Sequence, residues 1–235
     1  MTDLSTEEVG GIVKFLGYGR PARTVERPSA PVWFIGFEEG LGGMKEEEGI
    51  LENLKARAGF EKTMDLYEAH LLLKIDFKTK LPSTAVWQWM AKIMRARDGH
   101  KDWKDLKAAK EYIGCRLGRC DGDTFLTELC PVPASKATDK TLKTLLSERD
   151  PDLDSKIELR KKELKKTLND SCPSLVICYG KTRADEFEEL LEIKWHAVTS
   201  KISKSQNAKH LLLPFFRNDL MGHSVIEDLL HSGLL

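Results

Sequence analysis

Apolar positions along this chain follow two periods, and the alternation between them predicts its architecture. From Val32 to Ile35 the residues are β-branched and aromatic, bounded by Pro31 and Gly36 and too few for an ordinary helix, which predicts a buried strand. TFLTELC at 124–130, SLVICYG at 174–180 and AKHLLLPFF at 208–216 predict further strands, with a short one at 195–199. Between these runs the spacing turns helical. Ser5 or Thr6 can cap a helix over 5–16 carrying Val9, Ile12, Val13 and Leu16. Helices follow at 46–58, with acids first and bases last, and at 61–74. Val86, Trp87, Met90, Ile93 and Met94 then repeat at helical spacing behind a Ser83 or Thr84 cap, a stripe that reads as core. Further helices are predicted at 103–112, over 136–168 with a break at Asp150-Pro151, at 182–193 and near 221–230.

Strands alternating with helices predict an α/β protein: a three-layer α/β/α sandwich with a mostly parallel central sheet of about four to five strands. Residues 1–235 read as one domain, with 1–30 an N-terminal helix and loop and 136–170 a charged helical insertion.

Within that frame PVWFIGFEEGLGG, 31–43, holds the strongest candidate site. Ligands in open α/β sheets bind beyond the carboxyl ends of strands, where Glu38 and Glu39 are predicted to emerge on a glycine-rich loop. Gly36, Gly40, Gly42 and Gly43 can bring backbone close to a ligand. The competing reading is a surface turn with solvated glutamates. The second strand runs into PVPAS, whose prolines are expected to end its ladder.

Composition narrows the classes. With 37 basic and 37 acidic residues the net charge is zero, so any nucleic-acid affinity must be local. SKIELRKKELKKTL at 155–168 is locally basic, and reads first as a solvated helix face laced with pairs such as Glu158 with Lys162. A looser basic group holds Lys201, Lys204, Lys209 and Arg217. No apolar run approaches the roughly 18 residues of a membrane span, and the N-terminus has no secretory pattern, so a cytoplasmic protein with no membrane association is expected. Five cysteines without zinc-knuckle spacing argue for reduced thiols and no metal. Gly180-Lys181-Thr182 ends like a phosphate-binding loop, but Leu175 stands where that motif needs glycine, so nucleoside triphosphate hydrolysis is excluded.

Read in order, VWFIGFEEG, FLTELCPVPAS, PSLVICYGKTRADEF and HLLLPFFRNDLMGHSVIEDLL resemble the motif-bearing strand ends of the uracil-DNA-glycosylase superfamily, across about residues 30–235. The resemblance implies a monomer without cofactor that acts on DNA or a nucleobase-containing small molecule. It places Glu38 where the superfamily positions water, and gives Glu39 the stabilising of an oxocarbenium-like sugar. Gly36, Phe37, Gly40, Glu128 and Phe216 fall in the base-binding places, with Phe37 stacking and Glu128 reading the base edge. Lys181, Arg217 and Asn218 fall where phosphate or the leaving base is held.

The chain also departs from that pattern. Glu128 stands in place of a base-reading amide, and as a carboxylate it suits an exocyclic amine better than a uracil carbonyl. Phe215 or Phe216 stands in place of a histidine, and the N-terminal cysteine pair of the iron-sulfur branch is absent, so no cluster is expected. Three functions stay open: hydrolysis of an N-glycosidic bond, base or nucleotide binding without chemistry, and a metal-dependent phosphoesterase using Glu38, Glu39, Glu128 and His210 or His223.

Overall fold

Four parallel strands form the middle of the sheet, and side-chain alternation along them divides the core between its two faces. The computed structural model describes residues 4–21, 30–40, 47–77, 79, 84–134 and 141–235, with 39–40, 47–49, 134, 141–142 and 145 described by backbone only. β1 (Gly17–Tyr18), β2 (Val32–Gly40), β3 (Thr63–Met64), β4 (Thr124–Ala134), β5 (Leu175–Tyr179), β6 (His196–Ala197), β7 (Ser203–Lys204) and β8 (His210–Leu213) form one sheet ordered β3-β1-β4-β2-β5-β8-β7-β6. β4, β2, β5 and β8 pair in parallel, whereas β1 with β4, β7 with β8 and β6 with β7 are antiparallel. The α/β class agrees with the sequence reading, but among the described residues the sheet is mixed and has eight strands rather than a mostly parallel four or five. The extra strands are two-residue edge pieces, too short to display a period of two.

Helices cover the sheet on both sides. Val32 and Phe34 of β2 pack into one cluster with α4 (Ala85–Arg97), α5 (Leu106–Cys115) and α9 (His223–His231). Trp33 and Ile35 point the other way, against α7 (Leu153–Ser171) and α8 (Ala184–Leu191). A third cluster joins α1 (Thr6–Lys14), α2 (Glu47–Ala58), α6 (Thr141–Arg149) and the start of α7. α1 opens with a reciprocal cap, Ser5 accepting from the Glu8 N–H while Glu8 accepts from the Ser5 N–H. α3 (Leu66–Leu72) lies over the same face as α4. Among the described residues no helix is long and apolar enough to cross a membrane.

Two strands run longer than their sequences predict. β2 continues past Gly36 to Gly40, so Glu38 and Glu39 sit in the strand rather than in a loop; Gly42 and Gly43 lie outside the described residues. β4 continues through Pro131 and Pro133 to Ala134. Its other neighbour, β1, meets it only at Leu126, so beyond that point β4 is an edge on one side, where proline is tolerated. The register with β2 also shifts between Glu38 and Gly40.

The segment expected to be a solvated charged insertion is half core. Leu153, Ile157, Arg160, Leu164 and Leu168 form one buried stripe along α7. Its outer face carries ion pairs, but Glu158 pairs with Lys161 where Lys162 was expected, and Asp170 pairs with Lys166.

Candidate functional site

The carboxyl ends of β2, β4 and β5 open onto a cavity of about 240 Å³ walled mainly by apolar and aromatic side chains. Parallel pairing sets Gly36 opposite Glu128 and Glu38 opposite Cys130. Glu38 and Glu128 therefore share a face of the sheet, and two residues of rise with one strand spacing separate their Cα atoms by about 8 Å. Both line the cavity.

Gly36 has a specific reason to be glycine. A Cβ there would stand 1.8 Å from Glu128 Oε2 and 2.5 Å from the Tyr179 hydroxyl oxygen. The space beside its backbone is filled by the hydrogen bond that Tyr179 donates to Glu128 Oε1 at 2.5 Å. Tyr179 is itself fixed by Phe216, stacked on its ring at 4.6 Å and 10°. Behind them, the Phe34 ring meets Phe216 edge-on. A chain of packed rings thus sets where the Glu128 carboxyl points.

The floor is held by Arg160, only 5% exposed. Its guanidinium donates to the carbonyls of Phe15 and Glu128 at 2.8 Å and of Leu16 and Leu129 at 3.2 Å. Thr127 donates its hydroxyl to the same Leu16 carbonyl. Burial lowers the Arg160 pKa to about 10, which leaves it charged at neutral pH. Glu38 is half-buried, and loss of water raises its pKa above the ordinary carboxyl value, with Arg183 opposing the rise. The Cys130 thiol is raised as well, first by burial, and it donates to the Val132 carbonyl.

Trp87 and Met90 of α4, Phe15 and Phe215 also line the cavity, with Phe215 packed 6.0 Å from Tyr179. Trp87 is braced by His70 at 4.9 Å, edge-on, and by Phe77 at 6.0 Å. The Trp and Met stripe expected to be core is therefore divided: Ile93 and Met94 are buried, while Trp87 faces the cavity.

Of the residues singled out from sequence, Gly36, Glu38 and Glu128 come together here. Gly40 extends β2 beside Ala134, and the Glu39 side chain lies outside what is described. Phe37 faces the opposite layer, where Arg183 lies over its ring at 4.1 Å, so strand alternation removes it from a base-stacking place. Phe216 is fully buried behind Tyr179 rather than on the wall, and Phe215 takes the exposed position. Arg217 is engaged by Asp219 through two 2.5 Å hydrogen bonds, Asn218 accepts from the Trp89 indole, and Lys181 donates to the Ser200 carbonyl; none of the three lines the cavity.

The histidines of the phosphoesterase reading do not join the carboxyls. His210 starts β8 and hydrogen-bonds Ser205, and His223 lies 3.0 Å from Lys92 at the start of α9. Among the described residues no three His, Cys, Asp or Glu side chains gather as a cation-binding group.

Tyr179, Arg160 and Trp87 were not assigned to a site from sequence, although Tyr179 and Arg160 each carried a signal. Leu175, Ile177 and Tyr179 alternate onto the same face as Phe34. Arg160 falls in register with Ile157, Leu164 and Leu168, an apolar stripe position that a solvated charge would not occupy. No family model, curated protein or solved structure matches this chain.

Proposed function

We propose that this protein is a glycosylase-like hydrolase that takes a nucleobase, presented by DNA or by a smaller nucleobase-containing ligand, into the cavity and cleaves its N-glycosidic bond. One observation carries the reading: two carboxyl-bearing residues from adjacent parallel strands line a single cavity together with aromatic side chains. Such a cavity suits a flat, partly polar ring, since aromatic side chains stack on a base while carboxyls bond its edge. Its volume of about 240 Å³ is below the usual range for whole-ligand pockets and suits a single ring system.

In this reading Glu38 orients and deprotonates water, a role helped by a pKa closer to neutrality than that of a free glutamate. Glu128, held by Tyr179, reads the base edge, and Trp87 and Phe215 flank the ring. Arg160 touches only backbone carbonyls among its hydrogen-bond partners and acts by positioning β4.

A second reading, base binding without chemistry, is favoured by Phe216 and Arg217. The first is buried behind Tyr179 and the second is paired with Asp219, so neither offers a group to stabilise a departing base anion. An abasic-site assay on oligonucleotides carrying normal, deaminated and modified bases separates the two. Hydrolysis predicts alkali-labile sites with wild type and a loss of about 10²–10⁴-fold in Glu38→Gln. Oligonucleotide binding without any alkali-labile product supports the second reading.

A further inference from the structure

We propose that the cavity takes nucleobases already made cationic by alkylation on a ring nitrogen, held by its aromatic side chains and the Glu38 carboxyl together. This rests on the nucleobase reading above and names the class of base that it leaves open. Phe15, Tyr18, Trp87, Tyr179 and Phe215 all line the cavity. The faces of such rings are electron-rich and attract an organic cation, most strongly where water is excluded. Glu38 adds a formal negative charge to the same lining. It is half-buried and no hydrogen bond to a described residue holds it, so the Arg183 charge alone opposes its loss of hydration. A cation entering the cavity supplies the partner that this carboxyl lacks.

The other polar groups of the lining admit such a charge. Arg160 is the cation among the described lining residues; its guanidinium is committed to four backbone carbonyls, and Glu38 and Glu128 outnumber it. The Thr84 hydroxyl and the Trp87 indole N–H are uncharged donors that can meet an acceptor on the base. The leaving step points the same way. An ordinary base leaves as an anion unless it is protonated, and neither Phe216, buried behind Tyr179, nor Arg217, paired with Asp219, serves that anion. A ring-alkylated base carries its positive charge before any bond breaks. As its C1′–N bond breaks, the electron pair passes to the ring and neutralises it, water forms the new C1′–O bond, and the water proton passes to Glu38. The base departs uncharged and needs no group that binds an anion. What counts against cleavage of ordinary bases here is therefore no obstacle to cleavage of cationic ones.

The test uses purines alkylated where the sugar attaches, so that neither cleavage nor phosphate contacts enter. Calorimetry at neutral pH measures dissociation constants for 9-ethyl-7-methyladeninium, a permanent cation, and for the neutral 9-ethyladenine and 9-ethyl-8-methyladenine, the latter carrying the same extra methyl group. Wild type is expected to bind the cation about tenfold more tightly than either neutral purine. Glu38→Gln, which removes the charge and keeps the shape, is expected to lose most of that preference, and Trp87→Leu part of it. The ranking within wild type decides the matter even where a variant folds poorly. Equal or tighter binding of a neutral purine, or a preference undiminished in folded Glu38→Gln, overturns the proposal and leaves the nucleobase reading standing. Failure of wild type to bind any of these purines removes the nucleobase reading as well. Tetramethylammonium, the same charge without a base, is expected to bind weakly, and binding as tight as that of the purine cation overturns both.

Discussion

The floor and the wall of the cavity place charge in opposite ways. On the floor, Arg160 is deeply buried and each of its three guanidinium nitrogens meets a backbone carbonyl, from the turn after α1 and from β4. On the wall, Glu38 is half-buried beside apolar side chains and its pKa is raised because little compensates its lost water. A buried charge whose hydrogen bonds all go to protein stabilises one arrangement of the chain. A carboxyl facing open space at a cost in hydration is free to act on something that enters. The two regions share one sheet end, and this contrast separates the group that builds the cavity from the group proposed to use it.

Breaking the floor should have the largest effect on stability. Arg160→Met removes the cation from four carbonyls and is expected to cost about 3–5 kcal/mol, which a melting curve would register as a fall of roughly 10 °C. A fall of only a degree or two would mean that water replaces the guanidinium there, and that the floor is not a clasp.

Gly36→Ala acts at the wall. The new methyl group cannot coexist with the present Glu128 and Tyr179 positions, so the pair must part at a cost of about 1–3 kcal/mol. Base binding should suffer more than stability does, because the carboxyl loses its orientation. Unchanged binding in a folded Gly36→Ala protein would detach the Glu128 and Tyr179 pair from recognition. Trp87→Ala removes a braced ring of the cavity lining, and is expected to weaken base binding by about 1–3 kcal/mol. A titration that superimposes on wild type would exclude stacking at that wall.

The smallest effect carries a definite sign. Because folding raises the Glu38 pKa, the folded protein holds that proton more readily than the unfolded chain does, and stability falls as pH rises from the ordinary carboxyl value to the raised one. Glu38→Gln should therefore melt slightly above wild type at neutral pH, with the gain vanishing below the ordinary carboxyl range. A variant less stable than wild type at pH 7 would place Glu38 with Arg160 among the structural charges.

The central strands and the helices that cover them were legible from hydrophobic period alone, but the first strand runs to Gly40, past the Gly36 end that its sequence suggested. What escaped the sequence was partnership across strands. Nothing in FIGFEEG says that Gly36 faces Glu128 one strand away, since register emerges only when β2 and β4 pair. Phe37 and Phe216 were natural choices for a base because both are aromatic and near strand ends, yet alternation turns one to the far layer and packing draws the other behind Tyr179. Arg217 read as a phosphate ligand, but Asp219, two residues on, satisfies it locally. Arg160 was masked by the lysines around it, and only its phase along α7 marked it as buried.

The claim that Glu38 performs chemistry in this cavity is tested most directly by the single-turnover rate of free-base release from an oligonucleotide, followed by mass spectrometry in wild type and in Glu38→Gln at equal occupancy. The account predicts release by wild type, with a rate that rises with pH as Glu38 ionises, and loss of release in the variant with binding retained. Equal release from both proteins would contradict it.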